Sequence, residues 1–311
     1  MSHHHNDKGL DRVLPFQIDT LDVRGRLVRL GPLLDSVLSR HDYPPVVSRH
    51  LAEMILVAVL LGNSVKFQGT FTVQTKGDGP VSLMVADFVT PGTVRGYAQF
   101  DREALERLGP EPAFTAVFGK GYLALTLDQG PETDRYQGIV ALEGQNLGEC
   151  AEVYFRDSEQ IPTLVRLAAA LGADGHWLAG GLMVQHLPHG SAGARTDAGG
   201  HLPDAAAEDR WLNARSKAAT VAAAELLGPD LRLAEVAWRL YHEDEVLVYP
   251  TLGLAEGCRC SRGKIAQVLA RFSPEDRAEM AVDGRIRVSC EFCNSAYDFD
   301  PVAIEAEVPQ E

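Results

Sequence analysis

The sequence predicts an α+β protein: an N-terminal domain of mixed helices and sheet, a helical linker, and a small C-terminal module built on four cysteines. Three observations predict it. From Leu21 to about Val184 apolar residues are dense, and their spacing switches between the two-residue period of strands and the 3.6-residue period of helices. At Pro188 composition changes abruptly to PHGSAGARTDAGGHLPDAAAED, which offers almost nothing to bury. Beyond it, four of the five cysteines fall in two tight pairs, CRC at 258–260 and CEFC at 290–293. The boundaries drawn from these changes are 1–188 for the first domain, 189–250 for a flexible and helical linker, and 251–311 for the cysteine module.

Taken in order, the first strand is expected in DVRGRLVRL (22–30), and Leu33, Leu34, Val37 and Leu38 then recur at helical spacing. After the DYPP break a second helix runs from about Val47 to Leu61. Its apolar run MILVAVLL (54–61) is well short of the roughly 20 residues that cross a bilayer, so it reads as a buried helix and no membrane partner is expected. GTFTVQTKGDGPVSLMVADF reads as a hairpin closed at GDG, where glycine tolerates positive φ. TVRGYAQF, GYLALTL and YQGIVAL continue it as a meander, LGECAEVYFRDSEQ forms a helix, and GGLMVQHLP a further strand. Past the linker loop, RWLNARSKAATVAAAELLG is rich in alanine and poor in large apolar residues. Its helix is expected to be held by propensity more than by packing, and to unfold readily. LRLAEVAWRLYHEDEVLVYP adds a helix and a strand before the cysteines.

The 311 residues carry a net charge of −14, which repels phosphate over most of the surface, so no nucleic-acid partner is expected. The N-terminal MSHHHNDKGLDRVLPF has no basic region followed by an apolar stretch, so a cytoplasmic location is expected; His3, His4 and His5 read as a tail with no role. Cytosolic thiols are kept reduced, so paired cysteines there point to metal or redox chemistry.

Four thiolates are the ligand count of tetrahedral zinc, each sulfur about 2.3 Å from the metal. Cys258, Cys260, Cys290 and Cys293 are the expected ligands of one Zn2+ per chain. Between the pairs, Ile265, Val268, Leu269 and Phe272 form one helical stripe, SPED at 273–276 supplies a Ser cap, a first-turn Pro and a capping-box acid, and GRIRVS forms a strand. So small a module has a marginal core, and metal binding would contribute much of its folding free energy. A closed structural site without chemistry is the plain reading. Two features reach beyond it. Each pair is close enough in sequence to meet disulfide geometry if the metal leaves. Arg259, Arg262 and Lys264 crowd the first pair, and positive charge stabilises the thiolate that oxidants attack. A thioredoxin-type reading of CEFC fits poorly, because that pair follows a strand instead of opening a helix. Cys150 stands alone on its helix and reads as a packing cysteine.

CRC, twenty-nine residues and CEFC, preceded by WRLYHEDEVLVY, closely resemble the 33 kDa chaperonin family, the redox-regulated holdase heat-shock proteins of bacteria. The stretches VRGRLVRL, HDYPPVV, VKFQGTFTVQTKGDGPVSLMV, GKGYLALTL, RYQGIVALEGQNLGECAEVYFRDSEQIPT and GGLMVQHLP resemble that family in the same order. The resemblance implies that Cys258, Cys260, Cys290 and Cys293 hold zinc in the reduced, inactive protein. It implies that oxidation joins Cys258 to Cys260 and Cys290 to Cys293, releases zinc and disorders the module and linker. The protein then dimerises and holds unfolding client proteins without ATP, as an expected chaperone with no catalytic residues. The alternative is an enzyme with a catalytic α+β domain and a purely structural zinc module. Its candidates are His41, Asp42, Glu159 and His242, but HEDE at 242–245 reads more simply as a solvated turn, and no nucleophile elbow, HExxH pair or dinucleotide loop organises them.

Overall fold

The computed structural model describes residues 9–130, 133–187 and 205–308. His3, His4 and His5, and the glycine-rich stretch 188–204 assigned to the linker, lie outside the described residues. The chain forms two compact units, Met1–Glu256 and Gly257–Glu311.

The first unit contains strands β1 (Arg12–Ile18) and β2 (Val23–Leu30), helices α1 (Pro32–Leu38) and α2 (Pro45–Gly62), then strands β3 (Thr70–Gly77), β4 (Val81–Val89) and β5 (Thr93–Phe100). Helices α3 (Arg102–Leu108) and α4 (Phe114–Phe118) lead to β6 (Gly121–Asp128) and β7 (Tyr136–Ala141). Helix α5 (Leu147–Tyr154) precedes β8 (Thr163–Leu171) and β9 (Trp177–His186). Helices α6 (Ala205–Ala219), α7 (Ala223–Leu227) and α8 (Leu233–Tyr241) and the short strands β10 (Val246–Val248), β11 (Leu252–Gly253) and β12 (Ala255–Glu256) complete it. The expected mixture of helix and sheet is borne out.

Two sheets result, one ordered β10-β1-β2-β9-β8 with β11 also on β1, the other ordered β12-β5-β4-β3-β6-β7. Helix α2 lies between them, touching β2, β8 and β9 on one side and β3, β4 and β5 on the other. Its length and composition would allow it to cross a membrane, yet the run from Met54 to Leu61 is buried throughout among core side chains, as expected of a buried helix. The first sheet is buried on both faces, and neighbouring residues divide between two cores. Val28, Val165 and Met183 join the core around α2, whereas Leu27, Leu164 and Leu182 join a second core under α6–α8. That alternation is the pleat's period of two, and two-sided burial explains why β8 and β9 are apolar at most positions in place of alternating.

Several elements differ from the sequence reading. RVLPFQI is a full strand, β1, between β10 and β2; Pro15 and the polar ends hide it from pattern reading. TLVRLAAAL, unassigned from sequence, is β8. The second sheet is not a simple meander, because β6 pairs with β3 instead of β5. The connection through α3 and α4 is long enough to carry the chain to the far side of β3. At the GDG turn neither Gly77 nor Gly79 has a positive φ. Glycine is required there by close approach, since an added Cβ would lie 2.1 Å from the Phe118 carbonyl oxygen at Gly77 and 2.5 Å from the Gly119 nitrogen at Gly79. The alanine-rich segment is two helices broken at Thr220–Ala222, and packing does hold it. Ala214, Ala218 and Leu226 are buried together with Leu233, Val236 and Tyr241 against the first sheet. Small alanines let α6 approach that sheet closely, so a lack of bulk did not mean a lack of burial.

Candidate metal centre

Within the second unit, a short stretch carries Cys258 and Cys260 into α9 (Arg262–Leu269), followed by α10 (Pro274–Met280) and the antiparallel pair β13 (Ile286–Ser289) and β14 (Ala296–Phe299). Both helices start as the sequence specifies. Ser261 accepts a hydrogen bond from Lys264 N, and Ser273 caps α10 in a capping box with Asp276 behind Pro274. The CEFC pair forms the tip of the β13–β14 hairpin, closed by Cys290 N donating to Ser295 O at 2.9 Å and Asn294 N to Cys290 O at 2.8 Å. Asn294 turns the corner at φ +55°, a left-handed conformation that asparagine tolerates better than most residues.

The hairpin tip meets the CRC stretch. The four sulfurs lie within 4.8 Å of one another, Cys258 and Cys290 3.6 Å apart and Cys260 and Cys293 3.3 Å apart. Four sulfurs at about 2.3 Å from one tetrahedral ion would be separated by about 3.8 Å, so this donor set fits such a metal. The shell around it is polar where it needs to be. Tyr297 Oη lies 3.2 Å from Cys260 Sγ, and Ser295 Oγ 3.3 Å from Cys293 Sγ.

The thiols influence one another strongly. Desolvation first, and then the neighbouring thiols, push Cys260 up to about 12 against the opposing Tyr297 hydroxyl. Desolvation likewise raises Cys290, against backbone amides of Cys293 and Phe292. Burial also works against the Cys293 thiolate, but the Ser295 hydroxyl and amide, with help from Cys260 and Cys258, bring it down to about 6. Neighbouring thiols thus favour one thiolate and oppose the next, a conflict that a bound dication would remove by holding all four as thiolates.

Two expectations about the surroundings need correction. Arg262 does not face the thiols. Its guanidinium donates to Asp298 O at 2.8 Å, pairs with Glu307, and lies 4.5 Å from the Phe299 ring centroid, tying the start of α9 to β14 and the C-terminal turn. Lys264 Nζ donates to the Arg259 carbonyl at 3.1 Å. Nor does the stripe of Ile265, Val268, Leu269 and Phe272 face inward together. Ala266 and Leu269 are buried with Ile286, Phe299 and Ile304, and Ile265 packs beside them, while Val268 is 54% and Phe272 41% exposed. A two-stranded hairpin covers only a narrow strip of the helix, so the outer half of the predicted stripe stays wet.

A family model described as Hsp33 protein matches residues 11–300. The chain belongs to the Hsp33 family. The 33 kDa chaperonin of Caulobacter vibrioides is 42% identical over 298 residues, covering 94% of this chain and 95% of the relative. That of Shewanella loihica is 34% identical over 292 residues, covering 94% and 93%. A crystal structure of the 33 kDa chaperonin (heat shock protein 33 homolog) of Thermotoga maritima shares the fold, with a TM-score of 0.77 at 21% identity over 96% of this chain and 97% of that one. The resemblance expected from the cysteine spacing and the N-terminal motifs is thus borne out.

In this Hsp33 chain the residues considered for catalysis are engaged separately. His41 packs against the rings of Tyr43 and Tyr97, and Asp42 pairs with Arg102 at 2.8 Å. Glu159 accepts hydrogen bonds from Tyr136 and Tyr154, and His242 packs against Trp238. None of the four lines the cleft of about 650 Å³ bordered by Glu149, Glu152, Arg156, Trp211 and Arg215. Cys150 is wholly buried in the core around α2, as expected. The HEDE segment is an exposed turn, as expected, in which Asp244 alone is partly buried and accepts from Lys217 Nζ at 2.7 Å. Sequence reading missed Arg29 and Gly180, which sit opposite each other in β2 and β9 beneath α7. The available signal was the apolar run Leu27, Val28 and Leu30 around Arg29, which spans both faces of β2 and leaves that arginine no exposed side to occupy.

Proposed function

We propose that this Hsp33 chain is a redox-regulated, ATP-independent holdase chaperone of the cytoplasm that binds unfolding proteins under oxidative stress. The observation that carries this reading is the apolar face of β1, β2, β8 and β9, covered by helices of the linker region and not by the main core. In the reduced form one zinc ion per chain is held by Cys258, Cys260, Cys290 and Cys293. When bound, it ties the CRC stretch to the hairpin tip and keeps the four thiols ionised.

Oxidation joins Cys258 to Cys260 and Cys290 to Cys293. Each pair, held as two thiolates, gives up two electrons to hydrogen peroxide, which takes up two protons from solvent and becomes two water molecules; one S–S bond forms, and the zinc leaves as Zn2+. Sulfurs in disulfides no longer serve as thiolate ligands, so the module of Gly257–Glu311 loses its main tie. Helices α6–α8 of the linker then leave the first sheet, Leu14, Phe16, Leu27, Leu164, Leu182 and Val184 become available to the apolar segments of clients, and two chains associate. The names of the relatives as chaperonins support this reading, as does the fit of the four thiols to a tetrahedral metal.

The test is light scattering of a chemically unfolded client diluted into buffer without nucleotide. Suppression of aggregation by peroxide-treated protein and not by the reduced, zinc-loaded protein is expected. Equal failure in both states would remove the holdase reading and leave the metal site structural.

A further inference from the structure

The sheet face beneath the linker helices is apolar, but near the end of its central strand β2 stands Arg29, only 1% exposed. All three guanidinium nitrogens are used. Nε donates to the Leu226 carbonyl at 2.9 Å, Nη2 to Glu225 at 2.9 Å and Nη1 to Leu231 at 2.5 Å. These carbonyls belong to the last turn of α7 and the loop that leads to α8. A helix end leaves its final carbonyls without helical partners and favours positive charge, so the guanidinium adds to the burial of Leu226 in holding this five-residue helix.

The position opposite Arg29 in the β2–β9 register is Gly180. A Cβ there would lie 2.3 Å from the Leu226 carbonyl oxygen and 2.6 Å from its carbon. The oxygen that Arg29 Nε holds therefore sits in a space that any side chain at Gly180 would fill. A fork of donors and an omitted side chain thus converge on the same backbone group, and neither involves a cysteine.

We propose that Arg29 and Gly180 form a latch that holds α7, and through it α6 and α8, on the first sheet, so that this contact as well as the metal centre sets how readily the linker leaves. The functional consequence rests on the reading of α6–α8 as a releasable cover. Once α7 departs, water replaces its carbonyls around the guanidinium and the latch is spent. Lysine is a poor substitute, because one ammonium cannot span three carbonyls in a planar fork.

The experiment is hydrogen exchange of the full chain, reduced and zinc-loaded, comparing wild type with Arg29→Met and Gly180→Ala. Zinc content is measured in parallel, and the α2 amides serve as an internal reference. Both variants are expected to accelerate exchange across 205–241 by roughly 10- to 100-fold, the loss of buried charge-assisted hydrogen bonds, with α2 and the zinc stoichiometry unchanged. If Arg29→Met does not fold, Gly180→Ala carries the comparison alone. Wild-type exchange across 205–241 in the folded variants, or equal acceleration in α2, would overturn the latch. A light-scattering assay on the same reduced samples separates the two ideas. Faster linker exchange with client aggregation unsuppressed keeps the latch and defeats the holdase reading.

Discussion

Replacing Cys258 and Cys290 with serine removes one sulfur from each pair, and the structure sets the size of the consequence. Among the described residues, the second unit's buried apolar core is Ala266, Leu269, Ile286, Phe299 and Ile304. The four large side chains contribute about 1.5–3 kcal/mol each, or about 6–12 kcal/mol together before any opposing cost. Zinc held by a full set of ligands in a small domain contributes about 10–16 kcal/mol. The two contributions are of similar size, so loss of the ligands removes about half of what favours the folded module. The core around α2 should not notice, because it shares no residue with this one. The double variant is therefore expected to retain no stoichiometric zinc and to exchange the amides of β13 and β14 at close to unstructured rates, while α2 stays protected, as read by metal analysis and hydrogen exchange under reducing conditions. A variant that keeps one zinc per chain, or that keeps β13 and β14 protected without it, would refute the reasoning.

Two further predictions concern the first unit. The hydrogen bond from Lys217 to Asp244, with a smaller contribution from Glu243, raises the Lys217 amine above its ordinary 10.5. A value raised on folding means that the pair's stabilisation is complete below pH 10.5 and fades as pH climbs through the folded value. The urea midpoint of wild type should therefore fall towards that of Lys217→Met above pH 10.5, and a gap that stays constant with pH would contradict it. Cys150→Ala should lower stability by about 1 kcal/mol through lost packing in a thermal melt, yet leave zinc content and the response to peroxide unchanged.

Local chemistry was legible where a residue's role depends on its neighbours in sequence. The capping box at Ser273, the periodicity of α1 and α2, the alternation flanking GDG and the pairing of cysteines all survive in the structure because backbone preferences and short-range hydrogen bonds act over a few residues. Long-range outcomes were not legible. Pattern reading passed over RVLPFQI, which becomes a strand because β2 and β10 flank it. RWLNARSKAATVAAAELLG looked too poor in bulk to pack, yet alanine is what close docking on a sheet requires. Arg262 stands two residues from Cys260, but the direction in which α9 leaves the CRC stretch turns its guanidinium towards Glu307.

By itself, then, the sequence determined the α+β class, the two knuckles with the correct donors for a tetrahedral metal, and the resemblance that marks the Hsp33 family. Only the tertiary structure decided that the two knuckles meet with sulfurs 3.3–3.6 Å apart, that the first sheet is buried on both faces, and that Arg29 reaches the carbonyls of α7 over Gly180. The reason is physical. Propensity, capping and ligand identity belong to residues and their immediate neighbours, whereas burial, thiol proximity and the partner of a buried guanidinium are set by segments that meet from distant parts of the chain.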